Sequence, residues 1–244
     1  MANLLITATC TRRCPFCFAR QRVDSEREGG AKRFISRENV RAVMEFLRRS
    51  GVRDLRLLGG EPTLHPEFRD IVSEALAEQF HVHIFTNGMM AAEIADYLGG
   101  LPEERLSVLC NVSPQANDTA AQRDKVAYSL ERLGPRCQLG VTVTEPDSDM
   151  SFVIDLIARH RLKKRLRIGL AEPIVGAGNE SLHPRRYRAA GTAIAHLAGQ
   201  CIRHDVTVGF DCGITLCMFS NEELGTVVRC GEGFQCICGP IVDI

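Results

Sequence analysis

The chain lacks net charge, long apolar runs and the features of a secretory signal. Lysine plus arginine and aspartate plus glutamate number 30 each among its 244 residues, so no overall field attracts nucleic acid or an anionic membrane. No apolar stretch approaches the roughly 20 residues that a membrane-spanning helix needs, and residues 1–6 lack the basic and apolar regions of a signal peptide. These absences predict a cytoplasmic protein that binds neither nucleic acid nor membrane.

Motifs for phosphate binding and for nucleophilic catalysis are also missing. The glycine-containing segment 176–178 falls short of a dinucleotide-binding fingerprint, and no Ser/His/Asp arrangement stands out. Cysteine, in contrast, is abundant, with eleven in the chain. In a cytoplasmic protein these thiols should be reduced and available for metal binding.

Three of the cysteines form a CxxxCxxC motif directly after an apolar run. Cys10, Cys14 and Cys17 follow residues 4–8, so the loop leaving a predicted strand brings three thiols toward one point. Thiolates are soft ligands that commonly hold iron–sulfur clusters. Three ligands leave one iron of a four-iron cluster open for chemistry, whereas structural zinc usually takes four protein ligands in paired spacings. The spacing favours an iron–sulfur cluster, with zinc as the alternative.

A second motif, Gly-Gly-Glu-Pro at residues 59–62, also follows an apolar run, at residues 55–58. The two motifs together, each after a predicted strand, resemble those of the radical S-adenosylmethionine (SAM) enzymes. The resemblance implies that the three motif cysteines hold a 4Fe-4S cluster whose open iron is chelated by SAM. The longer run 59–68, Gly-Gly-Glu-Pro-Thr-Leu-His-Pro-Glu-Phe, is similar to that of peptide-modifying and molybdopterin-type members.

Apolar runs alternate with helix-like patterns six times along the chain. The predicted strands cover residues 4–8, 55–58, 82–85, 106–112, 139–143 and 166–170. Without hairpin signals, this alternation predicts a parallel sheet with helices outside, and the pattern alone leaves an open doubly wound sheet and a barrel as alternatives. The resemblance implies an α/β fold, a partial (βα)6 TIM-like barrel with the cofactor at the carboxyl ends of the strands. The arginine-rich segment 20–33 is predicted to be a loop.

The loops at the strand ends supply candidate SAM-binding residues. The glycines of the second motif would let the backbone approach the methionine end of SAM, and its glutamate would face the ammonium group. Position at strand ends adds polar side chains at 86, 87 and 113, although a turn stabilised by its own hydrogen bonds equally explains the first two. Two apolar residues would cover the faces of adenine, and an arginine would face the barrel interior. The candidates are Phe16, Gly59, Gly60, Glu61, Pro62, Thr86, Asn87, Ser113, Arg167 and Val175.

Five cysteines cluster near the end of the chain, after a seventh apolar run at residues 206–210. With the Cys-Gly-Pro segment 238–240, they resemble the opening of the SPASM or twitch-type auxiliary-cluster region of radical SAM maturases, although further cysteines normally follow such a segment. We expect a barrel core at 1–204 and a short Cys-rich extension at 205–244, truncated or shortened, with a second metal site. The candidate ligands are Cys212, Cys217, Cys230, Cys236 and Cys238. The remaining cysteines, Cys110, Cys137 and Cys201, are predicted to be buried thiols.

The resemblance implies an enzyme in which the reduced cluster passes one electron to SAM, and the resulting 5′-deoxyadenosyl radical abstracts hydrogen from a substrate. A flavodoxin or ferredoxin type of protein would supply the electron. We expect the substrate to be a peptide or protein undergoing maturation, although the first strand begins too early for a leader-peptide domain before it. The alternatives are a radical SAM enzyme acting on a small molecule or nucleotide, and a non-catalytic iron–sulfur or zinc-binding protein.

Overall fold

A computed structural model describes residues 2–27, 29, 33–113, 118–176, 178–211, 213–231 and 241–242. The strands in these ranges are β1 (Ala2–Thr7), β2 (Asp54–Gly59), β3 (His81–Thr86), β4 (Leu106–Asn111), β5 (Cys137–Val143), β6 (Arg165–Leu170), β7 (Thr207–Phe210) and β8 (Ile241–Val242). They form one sheet in the order β7-β6-β5-β4-β3-β2-β1-β8. Every pair of neighbours is parallel.

Helices alternate with these strands, as parallel neighbours require. The described helices are α1 (Arg20–Arg27), α2 (Arg37–Arg49), α3 (Phe68–Ala77), α4 (Ala92–Gly99), α5 (Ala120–Leu133), α6 (Phe152–Arg159), α7 (Tyr187–Arg203) and α8 (Asn221–Cys230). This arrangement confirms the predicted α/β partial barrel and adds β7 and the short β8 to the six predicted strands. Among the described helices, none combines the length and apolarity needed to cross a bilayer.

The sheet has two faces of different character, because successive side chains of a strand point to opposite sides. Leu55, Leu57, Val82 and Ile84 on β2 and β3 are fully buried and belong to one apolar core with the inner faces of the helices. Arg56, between two of them in sequence, lines a cavity on the other face. The core therefore lies between the sheet and the helices, and the opposite face forms the barrel interior.

Helix α2 precedes β2 and begins with a side-chain cap. Ser36 is its N-cap, and the Ser36 hydroxyl accepts a hydrogen bond from the backbone nitrogen of Asn39. The apolar stripe of α2 is buried and consists of Val40, Val43, Met44 and Leu47. This stripe docks α2 on the sheet and brings the chain back to begin β2 beside β1.

The prediction of a loop at residues 20–33 was wrong for its first part, where α1 forms. Ala19 and Val23 are buried and anchor this helix, and Arg20 pairs with Asp24 one turn later at 3.4 Å. The segment carries too few apolar residues for a recognisable helical period, so the pattern indicated a loop.

Strand β7 lies beyond the predicted boundary at residues 204 and 205. It pairs with β6 in the same sheet, with Val208 opposite Leu166 and Phe210 opposite Ile168. The described part of the predicted extension thus begins as a further strand of the barrel sheet. The division into 1–204 and 205–244 stays a prediction.

Candidate functional site

The three motif cysteines lie on the loop between β1 and α1, which we call the cysteine loop. Cys10, Cys14 and Cys17 line one pocket of about 690 Å³. Burial raises the pKa of all three thiols, and the neighbouring Cys17 adds to the effect at Cys14, whose pKa is raised to about 11. A bound metal centre would reverse these shifts, because metal ions deprotonate the thiols that coordinate them.

Two nitrogen donors point at the sulfur of Cys10. The backbone nitrogen of Arg12 lies 3.4 Å from this sulfur, and Nδ2 of Asn87 lies 3.7 Å from it. Hydrogen bonds of this kind set the reduction potential of iron–sulfur clusters. Among the described residues, no three His, Cys, Asp or Glu side chains are arranged to hold a single metal ion. In a four-iron cluster each thiolate binds its own iron, so the three sulfurs need not converge on one ion. Three soft thiolates with N–H donors beside them fit such a cluster.

A bidentate ion pair fixes the cysteine loop to the chain that enters α5. Nη1 and Nη2 of Arg12 donate to the two carboxylate oxygens of Asp118 at 2.7 and 2.8 Å. The two side chains are only 15% and 10% exposed, so the pair is less screened than a surface ion pair. No sequence motif pointed to this contact, and its only signal is the arginine between two motif cysteines.

The loop after β2, which carries the Gly-Gly-Glu-Pro motif, is pressed against the cysteine loop. A methyl group on Gly59 would lie 2.4 Å from the carbonyl oxygen of Thr7, and one on Gly60 would lie 2.3 Å from that of Thr9. The nitrogens of Gly60 and Glu61 donate to these same oxygens, at 2.8 and 2.7 Å. Contact between the two loops therefore requires both glycines. Their predicted approach to SAM stays a prediction.

Glu61 is fully buried beside Pro62, which opens a short 3-10 helix. Its Oε1 accepts hydrogen bonds from the hydroxyls of Thr63 and Thr86 at 2.7 and 2.8 Å, and its Oε2 accepts one from the nitrogen of Asn87 at 2.7 Å. Burial raises the pKa of the Glu61 carboxyl, and the hydrogen bonds oppose that shift. This carboxylate joins the second motif to the end of β3, while its predicted contact with an ammonium group stays a prediction.

Thr86 and Asn87 connect three loops. Their side chains also make the hydrogen bonds of their own turn, because Oγ1 of Thr86 accepts from the nitrogen of Gly88 at 3.0 Å and Oδ1 of Asn87 accepts from that of Met89 at 2.9 Å. Nδ2 of Asn87 additionally donates to the hydroxyl of Thr11 at 3.3 Å. The structure thus brings together the cysteine loop, the second motif and the end of β3.

Three further residues were predicted to bind or cover SAM. Phe16 is half-buried within the cysteine loop, and Ser113 follows the end of β4. Val175 is 97% exposed in the loop after β6. That loop does reach the cysteine loop, because the nitrogen of Glu180 donates to the oxygen of Pro15 at 2.9 Å. The roles predicted for these three residues in covering or binding SAM stay predictions.

Arg167 lies on the interior face of β6 and lines a cavity of about 810 Å³. Its guanidinium pairs with Asp211 and lies 5.4 Å from the centre of the Phe85 ring. The structure therefore places this candidate in the barrel interior, as expected from its position within the strand.

The cysteines near the chain end occupy different environments. Cys217 is exposed, whereas Cys230 is buried and lies 3.6 Å from the carbonyl oxygen of Val206. A hydrogen bond to Cys230 raises the pKa of the buried Cys201. The remaining candidate ligands, Cys212, Cys236 and Cys238, lie outside the described residues. The predicted buried state of Cys110, Cys137 and Cys201 is confirmed.

Sequence comparison finds relatives over about a third of the chain. The chain is 38% identical over 94 residues to a GTP 3',8-cyclase of Edwardsiella ictaluri. The aligned segment covers 37% of this chain and 27% of that protein. It is 34% identical over 89 residues to an S-adenosylmethionine-dependent nucleotide dehydratase of Selenomonas ruminantium, covering 36% and 30% respectively. The chain therefore spans less than a third of the length of these relatives.

A solved structure shares the fold over most of the chain. Streptococcus suis SuiB bound to the precursor peptide SuiA matches with a TM-score of 0.67 and 12% identity, over 86% of this chain and 47% of SuiB. The family described as the radical SAM superfamily matches residues 4–132, a span that includes the cysteine loop, the second motif, most of β1 and all of β2 to β4. The chain belongs to the radical SAM superfamily.

Proposed function

We propose that this enzyme reductively cleaves SAM at a 4Fe-4S cluster held by Cys10, Cys14 and Cys17. When bound, the cluster and SAM supply the one-electron cleavage that yields methionine and a 5′-deoxyadenosyl radical, which takes a hydrogen atom from the substrate. One observation carries the proposal, the direct junction of the cysteine loop with the Gly-Gly-Glu-Pro loop through backbone hydrogen bonds. An external flavodoxin or ferredoxin type of protein is proposed as the electron donor.

The chain's own residues hold and orient these cofactors. Asn87 and the backbone of Arg12 direct N–H groups at the Cys10 sulfur, where they favour the thiolate that a cluster needs. The Arg12–Asp118 pair keeps the cysteine loop against the chain before α5. The hydrogen bonds of Glu61 hold the Gly-Gly-Glu-Pro loop at the end of β3, so the backbone proposed to face SAM is held in place before SAM binds.

For the substrate, the charge of the barrel interior favours a nucleotide or another anionic small molecule. The wall of the interior cavity carries six arginine and lysine residues against two carboxylates. The names of both sequence relatives reported above point the same way, since one is a GTP cyclase and the other a nucleotide dehydratase.

Peptide or protein maturation, predicted from the sequence, is the second candidate function. It is favoured by the form of residues 59–68 and by the Cys-rich stretch that resembles a SPASM or twitch-type region. Under this candidate an auxiliary cluster would take ligands from Cys212, Cys217, Cys230, Cys236 and Cys238. Of these, buried Cys230 would have to leave its contact with Val206 or remain a structural thiol.

The test is anaerobic reconstitution followed by reduction and assay of SAM cleavage. We expect the wild-type protein to bind iron and sulfide and to release 5′-deoxyadenosine. Cys14→Ala should lose the spectrum of the SAM-binding cluster and lower cleavage by about 100-fold or more. Cys137→Ala removes a buried thiol of the core and serves as the matched control that keeps both.

Each other outcome has a distinct meaning. A Cys14→Ala variant with full cleavage would contradict the assignment of the cysteine loop. A wild-type protein that binds a cluster but leaves SAM intact would support the non-catalytic alternative. Zinc in place of iron, with no affinity for SAM, would refute the proposal.

A further inference from the structure

Two arginines from distant strands meet at one aromatic ring in the barrel interior. The guanidinium carbon of Arg56 lies 5.5 Å from the centre of the Phe85 ring, and that of Arg167 lies 5.4 Å from it. Arg56 belongs to β2 and Arg167 to β6, which are four places apart in the sheet order. The curvature of the sheet therefore brings two cations to one point on its concave face.

Within the described part of the chain, Arg56 makes no hydrogen bond or ion pair, although its side chain is half-buried. The carboxylates of Asp211 and Asp54 attract its charge only from a distance. Burial and the nearby Arg167 lower its pKa, yet an arginine stays charged at neutral pH. Arg167, in contrast, pairs with Asp211. The Phe85 ring and the two distant carboxylates compensate the partly desolvated charge of Arg56 only in part, and a bound anion would offset the rest of the cost.

The rest of the cavity wall adds to the positive charge. Three arginines on the strands line it, together with Arg136, Lys163 and Lys164 just before β5 and β6. Glu103 and Asp211 on the same wall oppose them, and Lys164 also pairs with Asp205 at 3.7 Å. His83 lies on the same wall, and burial lowers its pKa, so its ring is neutral at pH 7. In this state it can donate to Asp54 and accept from Ser107, its two partners in the structure. The cavity is therefore positive at neutral pH.

The cavity also has room for a ligand. Its volume of about 810 Å³ lies within the range of small-molecule sites. Gly209 on β7 contributes no side chain to this wall, and a methyl group there would stay 3.6 Å from the nearest atom of Arg165. The wall is therefore not crowded at this point of β7.

We propose that this cavity binds an oxyanion of the substrate, a phosphate or a carboxylate, with Arg56 as its main ligand and Arg167 beside it. The inference rests on the proposed function, of which it specifies the substrate class. A guanidinium presents two parallel N–H groups that match two oxygens of either anion. The oxyanion would anchor a part of the substrate that does not react, and this remote binding would position the reacting atom.

The experiment titrates the anaerobically reconstituted protein, with SAM present, with inorganic phosphate and separately with succinate at low ionic strength. Calorimetry should detect one site per chain for at least one of the two anions. Arg56→Met should weaken this binding by about tenfold or more, because it removes the charged fork from the cavity. Arg69→Met is the matched control, because Arg69 stacks on Tyr97 at 4.8 Å but lies on the exposed side of α3, and its binding should equal that of the wild type.

A second variant, Arg56→Gln, guards against a folding defect of Arg56→Met, and circular dichroism checks both. Binding of phosphate alone supports a phosphorylated substrate, and binding of succinate alone supports a carboxylate. The inference is overturned if the wild type binds neither phosphate nor succinate, or if a folded Arg56 variant binds as tightly as the wild type. SAM cleavage by the wild type is measured in parallel. Cleavage without Arg56-dependent anion binding refutes only the inference, and Arg56-dependent binding without cleavage refutes only the proposed function.

Discussion

At the residue scale, the backbone around the glycines of the second motif leaves no room for a side chain. Gly60 donates its N–H to Thr7 and has its α-carbon packed on the carbonyl oxygen of Thr9. A backbone oxygen cannot move aside as the end of a flexible side chain can. Any larger residue at position 60 must therefore separate the Gly-Gly-Glu-Pro loop from the cysteine loop.

Gly60→Ala should destabilise the protein by about 2 kcal/mol or more, as expected for overpacking against a fixed backbone. The free energy of unfolding can be measured in urea by circular dichroism, since the chain has no tryptophan. Gly100→Ala is the control, because a methyl group there would lie 3.6 Å from its nearest neighbours, and its effect should stay within about 0.5 kcal/mol. Equal stability of the two variants would show that the loops can separate at no cost.

The sequence motifs predicted the residues of the candidate site but not the contacts that these residues make within the chain. Glu61 and the glycines were predicted to face SAM, yet each makes contacts within the chain that need no ligand. Glu61 bonds to residues 25 and 26 positions away, and Arg12 to one 106 positions away. Such pairs depend on how strands stack in the sheet, and local spacing carries no information about them.

At the scale of the elements, the strands were predictable because apolar residues recur at every second position or more often over short segments, as the alternating burial of β3 and β6 shows. The predicted run 166–170 corresponds to β6, which begins one residue earlier. Helix α1 was missed because only Ala19 and Val23 in its neighbourhood are buried hydrophobic residues. Helix α8 was not predicted either, because its two buried residues, Val227 and Cys230, are too few to mark a helical period.

Helices α2 and α3 are linked on their exposed sides by one carboxylate. Glu74 on α3 accepts hydrogen bonds from Nε of Arg37 at 3.0 Å and from Nε of Arg41 at 3.3 Å. These hydrogen bonds lower the pKa of Glu74 to about 2. The folded chain therefore holds this carboxyl ionised at pH values where the unfolded chain, with a pKa of about 4.3, binds a proton.

The stabilisation from Glu74 should be present above about pH 4.3 and disappear as the pH falls toward 2. Glu74→Gln should lower the thermal midpoint by about 1–3 °C at pH 7, a small shift because the partners are solvent-exposed. At pH 2.5 most of that difference should vanish. Glu131→Gln is the control, since Glu131 on α5 is exposed and makes no hydrogen bond or ion pair among the described residues. A midpoint difference that stays constant with pH would contradict the assigned cause.

At the scale of the whole molecule, stability and chemistry lie on different parts of the sheet. The apolar core fills the space between the sheet and the helices, whereas the cysteine loop and the Gly-Gly-Glu-Pro loop lie at the carboxyl ends of the strands. Parallel strands bring these ends together, which is why βα folds place their sites there. The alternation of the sequence predicted this division, but the charge of the barrel interior depends on residues such as Arg56 and Arg167 that only the folded sheet brings together.

This separation predicts that the protein folds without its cluster. The core makes no use of the motif cysteines, so removing the cluster should leave a cooperative fold with unchanged circular dichroism. Hydrogen exchange should then differ by region. Amides of β2 to β5 keep their protection, while those at 10–20 exchange about tenfold faster or more, because three half-buried thiols lose the centre that holds them. The reconstituted wild type is the reference. Loss of protection throughout β2 to β5 would mean instead that the cluster is part of the folding core. The sheet would then not be a scaffold that folds independently of the two loops.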